Sequence, residues 1–452
     1  MLHDNIEQEI ALLTEADRRA RAYTAGIGHR PVFPSSDSLE GLSQFEEELP
    51  ARGLGDASTL ALLDDAGSPA AVESNGSRYF GFVVGATLPV AAAADRLVLA
   101  WDNGALGQVT SPVGAAVEKT AARWLLEILD LPRESAVGFV TSATSGTLIA
   151  LASARRTLLA RHGWDLDRRG LRAAPPLRIV TSALVHVVVK KALRVLGFGT
   201  DDVIVAPVDE HGRIDPAQMP ELDERTIVIL QAGEVNTGEF DPFSSIIPAA
   251  RAAGAWVHVD GAFGLWARAS AHAALTVGVD AADSWTVDGH KWLNTPYDSA
   301  MVIVRDASAL TATMTSDATY TQADDDAQRN RTMEFSRRAR GVPVWAALRA
   351  LGRDGVADLI ERTTALASHG AAGLRAAGYT VVNRVVLNQI IAKAATPQET
   401  LRITAAAQSS GAVWFGTSRW QGDPVMRISV SSWRTTTEDM DALVALLSSL
   451  RT

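Results

Sequence analysis

The sequence predicts an α/β protein built on a mostly parallel sheet of seven strands with helices on both faces. Seven short apolar segments rich in β-branched residues occur, at 137–140, 178–181, 203–205, 226–230, 256–260, 284–287 and 301–304. Most are separated by stretches with helical periodicity, at 147–161, 185–196, 246–253 and 271–277. This alternation is typical of parallel sheets covered by crossover helices. The last two segments lie too close for such a helix, so the seventh strand should be antiparallel to the sixth.

A helical arm and a less regular region precede this sheet. Residues 1 to about 30 predict one amphipathic helix, which either packs on a partner subunit or stays a solvated helix. Residues 31–85 read as loop-rich and end in the apolar stretch 79–84. Helices are then predicted at 91–101 and 115–129.

A smaller α+β domain is predicted after the sheet. Residues 307–335 read as a polar loop, and helical periodicity returns from about residue 336. The predicted helices are 342–351, 356–376 and 437–450, and the weaker strands are 380–386, 389–392, 413–417 and 426–430. We therefore predict three units, which are an N-terminal arm and segment at 1–85, a large domain at 86–335 and a small C-terminal domain at 336–452.

Composition and charge narrow the function classes. The chain has 452 residues, 47% of them hydrophobic, which is enough for a large core and more than one domain. A net charge of -10 argues against a nucleic acid or an anionic membrane surface as partner. Without cysteine there is no disulfide or thiolate nucleophile. The most apolar window, 81–101, is interrupted by Pro89 and Asp95, and the acidic start is unlike a signal peptide, so we expect a cytoplasmic protein with no membrane span.

Lys291 is the first candidate for chemistry, because it directly follows the sixth predicted strand and the turn 288–290. Trp292 and Leu293 come next, although apolar residues are unusual around a surface lysine. Partial burial moves a lysine amine toward its neutral, nucleophilic form. An ordinary solvated turn lysine is the other interpretation of this stretch alone.

Candidate residues also follow other predicted strands, where ligand sites of α/β sheets lie. Ser142, Ala143 and Thr144 follow the first strand and open a helix, so their backbone N–H groups and hydroxyls suit a phosphate, although an ordinary helix cap is equally compatible. The stretch lacks the lysine of a nucleotide P-loop, which argues against ATP and GTP. After the fourth strand, Asn236 and Thr237 could contact a bound ring.

Asp260 and His186 are two further candidates for binding a ligand. Asp260 ends an apolar strand, and a carboxylate there needs a partner. His258 precedes it on the same face, but no further carboxylate or histidine completes a metal site, so no metal is expected. A protonated ring nitrogen suits Asp260 better, and His186, at the start of a helix, could stack on the ring. A phosphate cradle, a stacking ring, a carboxylate and a lysine together indicate pyridoxal 5′-phosphate.

From about Arg78 to its end, the sequence resembles the group II pyridoxal-phosphate decarboxylases, the aromatic amino acid and glutamate decarboxylase superfamily of fold-type I. The most specific stretches are WVHVDGAFGLWA, ADSWTVDGHKWLNTPYDSA and SRRARGVPVWAALRALG. The resemblance implies that Lys291 forms the internal aldimine, that Asp260 bonds the pyridinium nitrogen, that Ala262 packs under the ring and that His186 stacks on it. It also implies a phosphate site formed by Ser142, Ala143, Thr144, His290 and Asp288. The family forms homodimers with active sites at the subunit interface, so the resemblance implies a homodimer here as well. The walls of its substrate pocket would be Phe80, Phe82 and Trp101.

The sequence departs from this family in the loop before SRRARG. Group II decarboxylases commonly carry a tyrosine there that protonates the carbanion left when CO2 departs. Tyr320 lies just ahead of the loop, but residues 321–334 contain no tyrosine. In relatives, loss of that tyrosine can divert the carbanion toward oxygen, which gives decarboxylation with oxidative deamination.

The expected function is therefore decarboxylation of an L-amino acid through an external aldimine formed when the substrate amine displaces Lys291. Arg427 is a candidate anchor for the α-carboxylate. If Arg427 held that group in the plane of the ring, the Cα–H bond would break instead, which favours β-elimination, as in a C–S lyase, or aminotransfer. Oxidative deamination to an aldehyde is another alternative, and a pyridoxal-phosphate-binding protein without turnover is the alternative of a different class.

Overall fold

A computed structural model describes residues 6–315 and 327–451. Its larger sheet contains all seven predicted strands. They are β1 (Ala136–Val140), β2 (Arg178–Ser182), β3 (Val203–Ala206), β4 (Thr226–Gln231), β5 (Trp256–Asp260), β6 (Ser284–Asp288) and β7 (Ala300–Val304). Their order in space is β1-β7-β6-β5-β4-β2-β3. Only β7 runs antiparallel to its neighbours, β1 and β6, which confirms the orientation predicted from the short connection between β6 and β7.

Thirteen α-helices occur in the described parts of the chain. They are α1 (Ile6–Ala25), α2 (Ser36–Glu40), α3 (Asp56–Ala70), α4 (Pro89–Trp101), α5 (Pro112–Ile128), α6 (Ala143–Arg161), α7 (Leu166–Arg169), α8 (Val187–Val195), α9 (Phe243–Ala252), α10 (Ala307–Met314), α11 (Gly341–Ala376), α12 (Pro397–Ser409) and α13 (Thr437–Ser449). None of these helices is both long and apolar enough to cross a membrane.

Both faces of the larger sheet are covered. Along β4, Ile227 and Ile229 pack into the same core as α6 and α8, whereas Val228 and Leu230 pack into the core that α5 and α9 complete. Side chains of a strand alternate between faces, so a strand with two buried faces is apolar throughout. This is the layered α/β architecture that the sequence predicts.

A smaller antiparallel sheet lies in the C-terminal part. It contains β8 (Thr380–Val381), β9 (Gln389–Lys393), β10 (Gly416–Trp420) and β11 (Asp423–Ser429), in the order β10-β11-β9-β8. The segment before α4 joins this sheet, because the Phe80 backbone N–H donates to Trp414 O and the Ser429 N–H donates to Phe80 O. The domain boundaries at 85 and 335 stay a prediction.

Several local predictions were wrong. Helices α3 and α10 lie in stretches predicted as loops, and α12 was missed although Thr396 caps it and Pro397 and Glu399 form its first turn. Residues 271–276 form a 3₁₀ helix, and the strand predicted at 380–386 covers two residues. Helix α11 joins two predicted helices across a kink at Gly352, whose φ of 62° suits glycine.

Candidate active site

A cavity of about 590 Å³ lies beyond the carboxyl ends of β4, β5 and β6. The small domain closes one side of it through Trp414, Gly416, Thr417 and Arg427. Eleven of the fifteen residues predicted for the site line this cavity. They are Phe82, Ser142, Ala143, Thr144, His186, Asp260, Ala262, Asp288, His290, Lys291 and Arg427.

The Lys291 amine is held by Asp288. The Lys291 Nζ lies 3.2 Å from Asp288 Oδ2, and Asp288 Oδ1 accepts a hydrogen bond of 2.7 Å from the Ala143 backbone N–H. Asp288 therefore ties the lysine turn to the N-terminus of α6, where a carboxylate is favoured by the helix dipole. The turn is tight at Gly289, where an added Cβ would lie 2.3 Å from Ser299 Oγ.

The lysine turn also contacts the small domain. Asn294 has a φ of 57°, and its side-chain amide donates to the backbone oxygens of Trp292 and Ser431. The same side chain accepts from the Trp433 N–H at 2.9 Å. These bonds fix the segment that follows Lys291 between the two sheets.

Asp260 is a buried carboxylate without a cation. It is 6% exposed, and its Oδ1 accepts from the Ala262 N–H at 3.2 Å. Among residues 6–315 and 327–451, no lysine, arginine or histidine forms an ion pair with it. A buried charge without a partner is costly, so this carboxylate fits a cationic ligand group in the cavity.

The two histidines near Asp260 cannot supply that charge at neutral pH. His258 is fully buried, with Nδ1 2.9 Å from Ser284 Oγ, and burial lowers its pKa to about 4. Burial also lowers the pKa of His186. This residue caps the start of α8, because its Nδ1 accepts a hydrogen bond from the Val188 N–H. His186 therefore presents a neutral ring to the cavity.

Unpaired polar groups lie where α6 begins. The hydroxyls of Ser142 and Thr144 face the cavity and make no hydrogen bond within the described chain, and the buried Ser145 Oγ has no partner there either. His290 lies on the same side, with Nδ1 2.8 Å from Ser299 O. Hydroxyls at a helix N-terminus suit an anionic group such as a phosphate.

The remaining predicted residues lie outside the cavity lining. Asn236 and Thr237 donate to the buried Glu234 carboxylate, so they hold the turn after β4 instead of facing a ligand ring. Phe80 is 1% exposed and packs in the hydrophobic core of the small domain. Trp101 ends α4 and is 40% exposed, away from the cavity of the single chain. Tyr320 lies outside the described residues.

The sequence interpretation missed several cavity residues. Gln231 ends β4, and its buried Nε2 has no partner in the described chain. Its position at a strand end could have identified it. Tyr297 follows Lys291 in the same turn, where the sequence indicates only that bulky residues surround the lysine and assigns Tyr297 no role in the site. Trp414 and Thr417 come from the small domain, and no local pattern says which of its strands approaches the large sheet.

The chain is similar to known proteins in sequence. The family described as "Pyridoxal-dependent decarboxylase conserved domain" matches residues 74–391. The chain is 31% identical over 346 residues to the L-2,4-diaminobutyrate decarboxylase of Rhizobium meliloti (strain 1021), which covers 73% of this chain and 67% of the relative. It is 24% identical over 436 residues to the aromatic-L-amino-acid decarboxylase of Bacillus atrophaeus, which covers 91% and 88%.

The fold is also similar to solved structures. The crystal structure of Oryza sativa TDC with PLP and tryptamine superposes with a TM-score of 0.90 at 20% identity, over 100% of this chain and 99% of that one. The apo structure of mouse CSAD gives the same TM-score at 21% identity, over 99% of each chain. At such identities the likeness shows the fold, which is the predicted α/β fold with its mostly parallel seven-stranded sheet.

The buried His258 should make the protein sensitive to acid. In the unfolded chain His258 takes up a proton near the ordinary histidine pKa of 6.5. In the folded protein its pKa is about 4, so it takes up the proton only at lower pH. A lowered folded-state pKa gives stability that is present above pH 6.5 and lost as pH falls from 6.5 toward 4. We expect His258 to contribute on the order of 2 kcal/mol to the loss of unfolding free energy between pH 7 and pH 5.

Urea unfolding of His258→Asn at pH 7 and pH 5 checks this expectation. The substitution should lower stability at pH 7 and reduce the further loss at pH 5. His162→Asn changes an exposed histidine and serves as the control, with a loss like that of the wild type. An equal acid-dependent loss in wild type and His258→Asn would contradict the expectation.

Proposed function

The chain belongs to the pyridoxal-dependent decarboxylase family, whose cofactor is pyridoxal 5′-phosphate, and from this premise we propose that it removes the α-carboxyl group of an L-amino acid as CO2 and releases the amine. One observation carries most of the proposal. The unpaired carboxylate of Asp260 and the amine of Lys291 face the same cavity. A cofactor that joins a cationic ring to an aldehyde satisfies both groups.

The cavity residues fit this cofactor. Lys291 would hold its aldehyde carbon and Asp260 its ring nitrogen, while Ala262 and His186 would lie on the two faces of the ring. The unpaired hydroxyls of Ser142 and Thr144 would hold the phosphate, with His290 on the same side. Ala143 and Asp288 also line that side, but they are bonded to each other, so they would support this site instead of binding the phosphate. When bound, the protonated ring of the cofactor accepts the electron pair of the bond that breaks at Cα.

Two charged residues of the chain would then act on the substrate and on the lysine. Asp288 keeps the Lys291 Nζ within 3.2 Å of its carboxylate, so the amine stays at the strand end whenever it is free. The Arg427 guanidinium faces the cavity, makes no ion pair within the described chain, and lies 6.0 Å from the Phe82 ring. An unpaired cation there suits a carboxylate of the substrate.

Which bond breaks depends on how that carboxylate is oriented. Arg427 and the other cavity residues that hold the substrate would determine which bond at Cα the cofactor helps to break. The absence of tyrosine from residues 321–334 supports a second candidate, in which CO2 is lost and molecular oxygen oxidises the substrate to an aldehyde, with release of ammonia and hydrogen peroxide. The cytoplasmic location remains a prediction from composition and sequence.

The activity can be tested on a panel of L-amino acids by scoring CO2, amine, ammonia and peroxide together. We expect CO2 and amine in equal amounts from at least one substrate. Ammonia and peroxide accompanying CO2 would favour the oxidative candidate. Absence of CO2 across a broad panel would contradict decarboxylation of either kind.

Lys291→Ala tests the cofactor attachment separately. We expect loss of CO2 release, and no covalent cofactor after borohydride reduction, because no other cavity side chain among the described residues offers an amine. Lys190→Ala removes an exposed lysine of α8 and should behave as the wild type in both measurements. Cofactor still fixed at the active site of Lys291→Ala by borohydride would contradict the assignment.

We further propose that two copies of the chain associate. Helix α1 has no buried residue, so its apolar side chains Ile10 and Leu13 are exposed. Leu97 and Leu99 are exposed on α4. An ion pair of 3.1 Å between Arg96 and Asp17 links these two helices. Exposed apolar side chains on two linked helices are the feature on which we base this association surface.

Leu99→Glu should weaken this association, because it places a charge in the apolar contact. Sedimentation equilibrium should show a wild-type dimer and a larger monomer fraction for the variant. Leu401→Glu, on the exposed side of α12, is the control and should leave the dimer intact. A monomeric wild-type protein, or an unchanged dimer in Leu99→Glu, would contradict the proposal.

A further inference from the structure

The phenol of Tyr297 lines the cavity, and the proposed function has assigned it no role. It lies six residues after Lys291 in the same connection between β6 and β7, and its ring lines the cavity. The ring stacks on His290, with centroids 4.4 Å apart and planes inclined by 30°. This contact positions the phenol beside the residues around the lysine.

The state of this phenol suits proton donation. Partial burial raises the pKa of Tyr297, and the Asp288 carboxylate raises it further, so the hydroxyl keeps its proton at neutral pH. Its Oη makes no hydrogen bond within the described chain. The residue is also 58% exposed, so solvent can return a proton after one is given up.

The other tyrosines of the described chain are not placed for this role. Tyr79 stacks on Trp414 at 5.0 Å and does not line the cavity. Tyr379 donates its hydroxyl to Leu447 O in the small-domain core, and Tyr23 lies on α1. Among residues 6–315 and 327–451, Tyr297 is therefore the tyrosine that a cavity ligand can meet.

The neighbouring histidines are weaker candidates. Burial lowers the pKa of both His186 and His290, so neither carries an extra proton at neutral pH. The His186 Nδ1 is already occupied by the Val188 N–H, and the His290 Nδ1 by Ser299 O.

We propose that Tyr297 is a catalytic acid, which donates its hydroxyl proton to Cα of the substrate after CO2 has left. The O–H bond of Tyr297 breaks and a C–H bond forms at Cα with the electron pair that the departing carboxylate leaves behind. The phenolate then takes a proton from water. The inference rests on the proposed decarboxylation and adds to it the residue that determines amine as the product.

Tyr297→Phe tests this role, because it keeps the ring that stacks on His290 and removes only the hydroxyl. We expect kcat for amine formation to fall by on the order of 10²-fold or more, which is typical for loss of a general acid, while KM stays close to the wild-type value. Tyr79→Phe is the matched control, since it removes a nearby phenol outside the cavity lining, and should keep the wild-type kcat.

A second measurement does not depend on turnover. The tyrosinate absorbance that appears on raising the pH is compared between Tyr79→Phe and the double variant Tyr79→Phe/Tyr297→Phe, so that the neighbouring Tyr79 does not contribute and the difference gives the titration of Tyr297. We expect a midpoint above the ordinary value of about 10. A midpoint near neutral pH would overturn the proposal, because the residue would then lack its proton under working conditions.

The outcomes separate this proposal from the proposed function. A wild-type protein that releases no CO2 overturns decarboxylation, and the role of Tyr297 with it. CO2 release with an unchanged kcat for amine in Tyr297→Phe overturns the role of Tyr297 alone. A loss confined to KM overturns it as well, because the hydroxyl would then bind substrate without transferring a proton.

Discussion

The site depends on one buried charge, the carboxylate of Asp260. Strand β5 is central in the larger sheet, between β4 and β6, and its last residue points into the cavity with no cation of the described chain paired to it. The neutral state of His258 and His186 leaves that charge uncompensated by its neighbours. A fold that keeps a carboxylate in this state is arranged for a ligand that carries the opposite charge.

The position of Lys291 depends on a separate set of contacts, which come from both domains. Asp288 connects Lys291 to the start of α6, and Asn294 connects the same turn to the backbone near Ser431 and Trp433. The position of the amine is therefore set by contacts on two sides, one from the large sheet and one from the small domain. This arrangement also explains why the cavity wall mixes strand ends of β4 to β6 with Trp414 and Arg427.

Much of the larger sheet and of the site at its edge could be predicted, because buried parallel strands have a distinctive sequence pattern. Their buried faces require continuous apolar runs, and residues just after such runs, Asp260 and Lys291 among them, must lie at one edge of the sheet. Helix α3 was harder to predict, since Gly67 and Pro69 within it resemble loop residues. Asn236 and Thr237 follow a strand as well, but Glu234 binds their polar groups, and a sequence does not reveal such competition. Which residues of the small domain reach the cavity depends on packing between domains and has no local signal.

The most direct test of the account is the protonation of the cofactor ring in the holoenzyme. Cofactor labelled with ¹⁵N at its ring nitrogen can be bound to the wild type, Asp260→Ala and the control Asp283→Ala, and followed by NMR. The account predicts a protonated nitrogen in the wild type and the control, and loss of that proton in Asp260→Ala. An unprotonated wild-type nitrogen, or a proton that persists without the Asp260 carboxylate, would contradict the account.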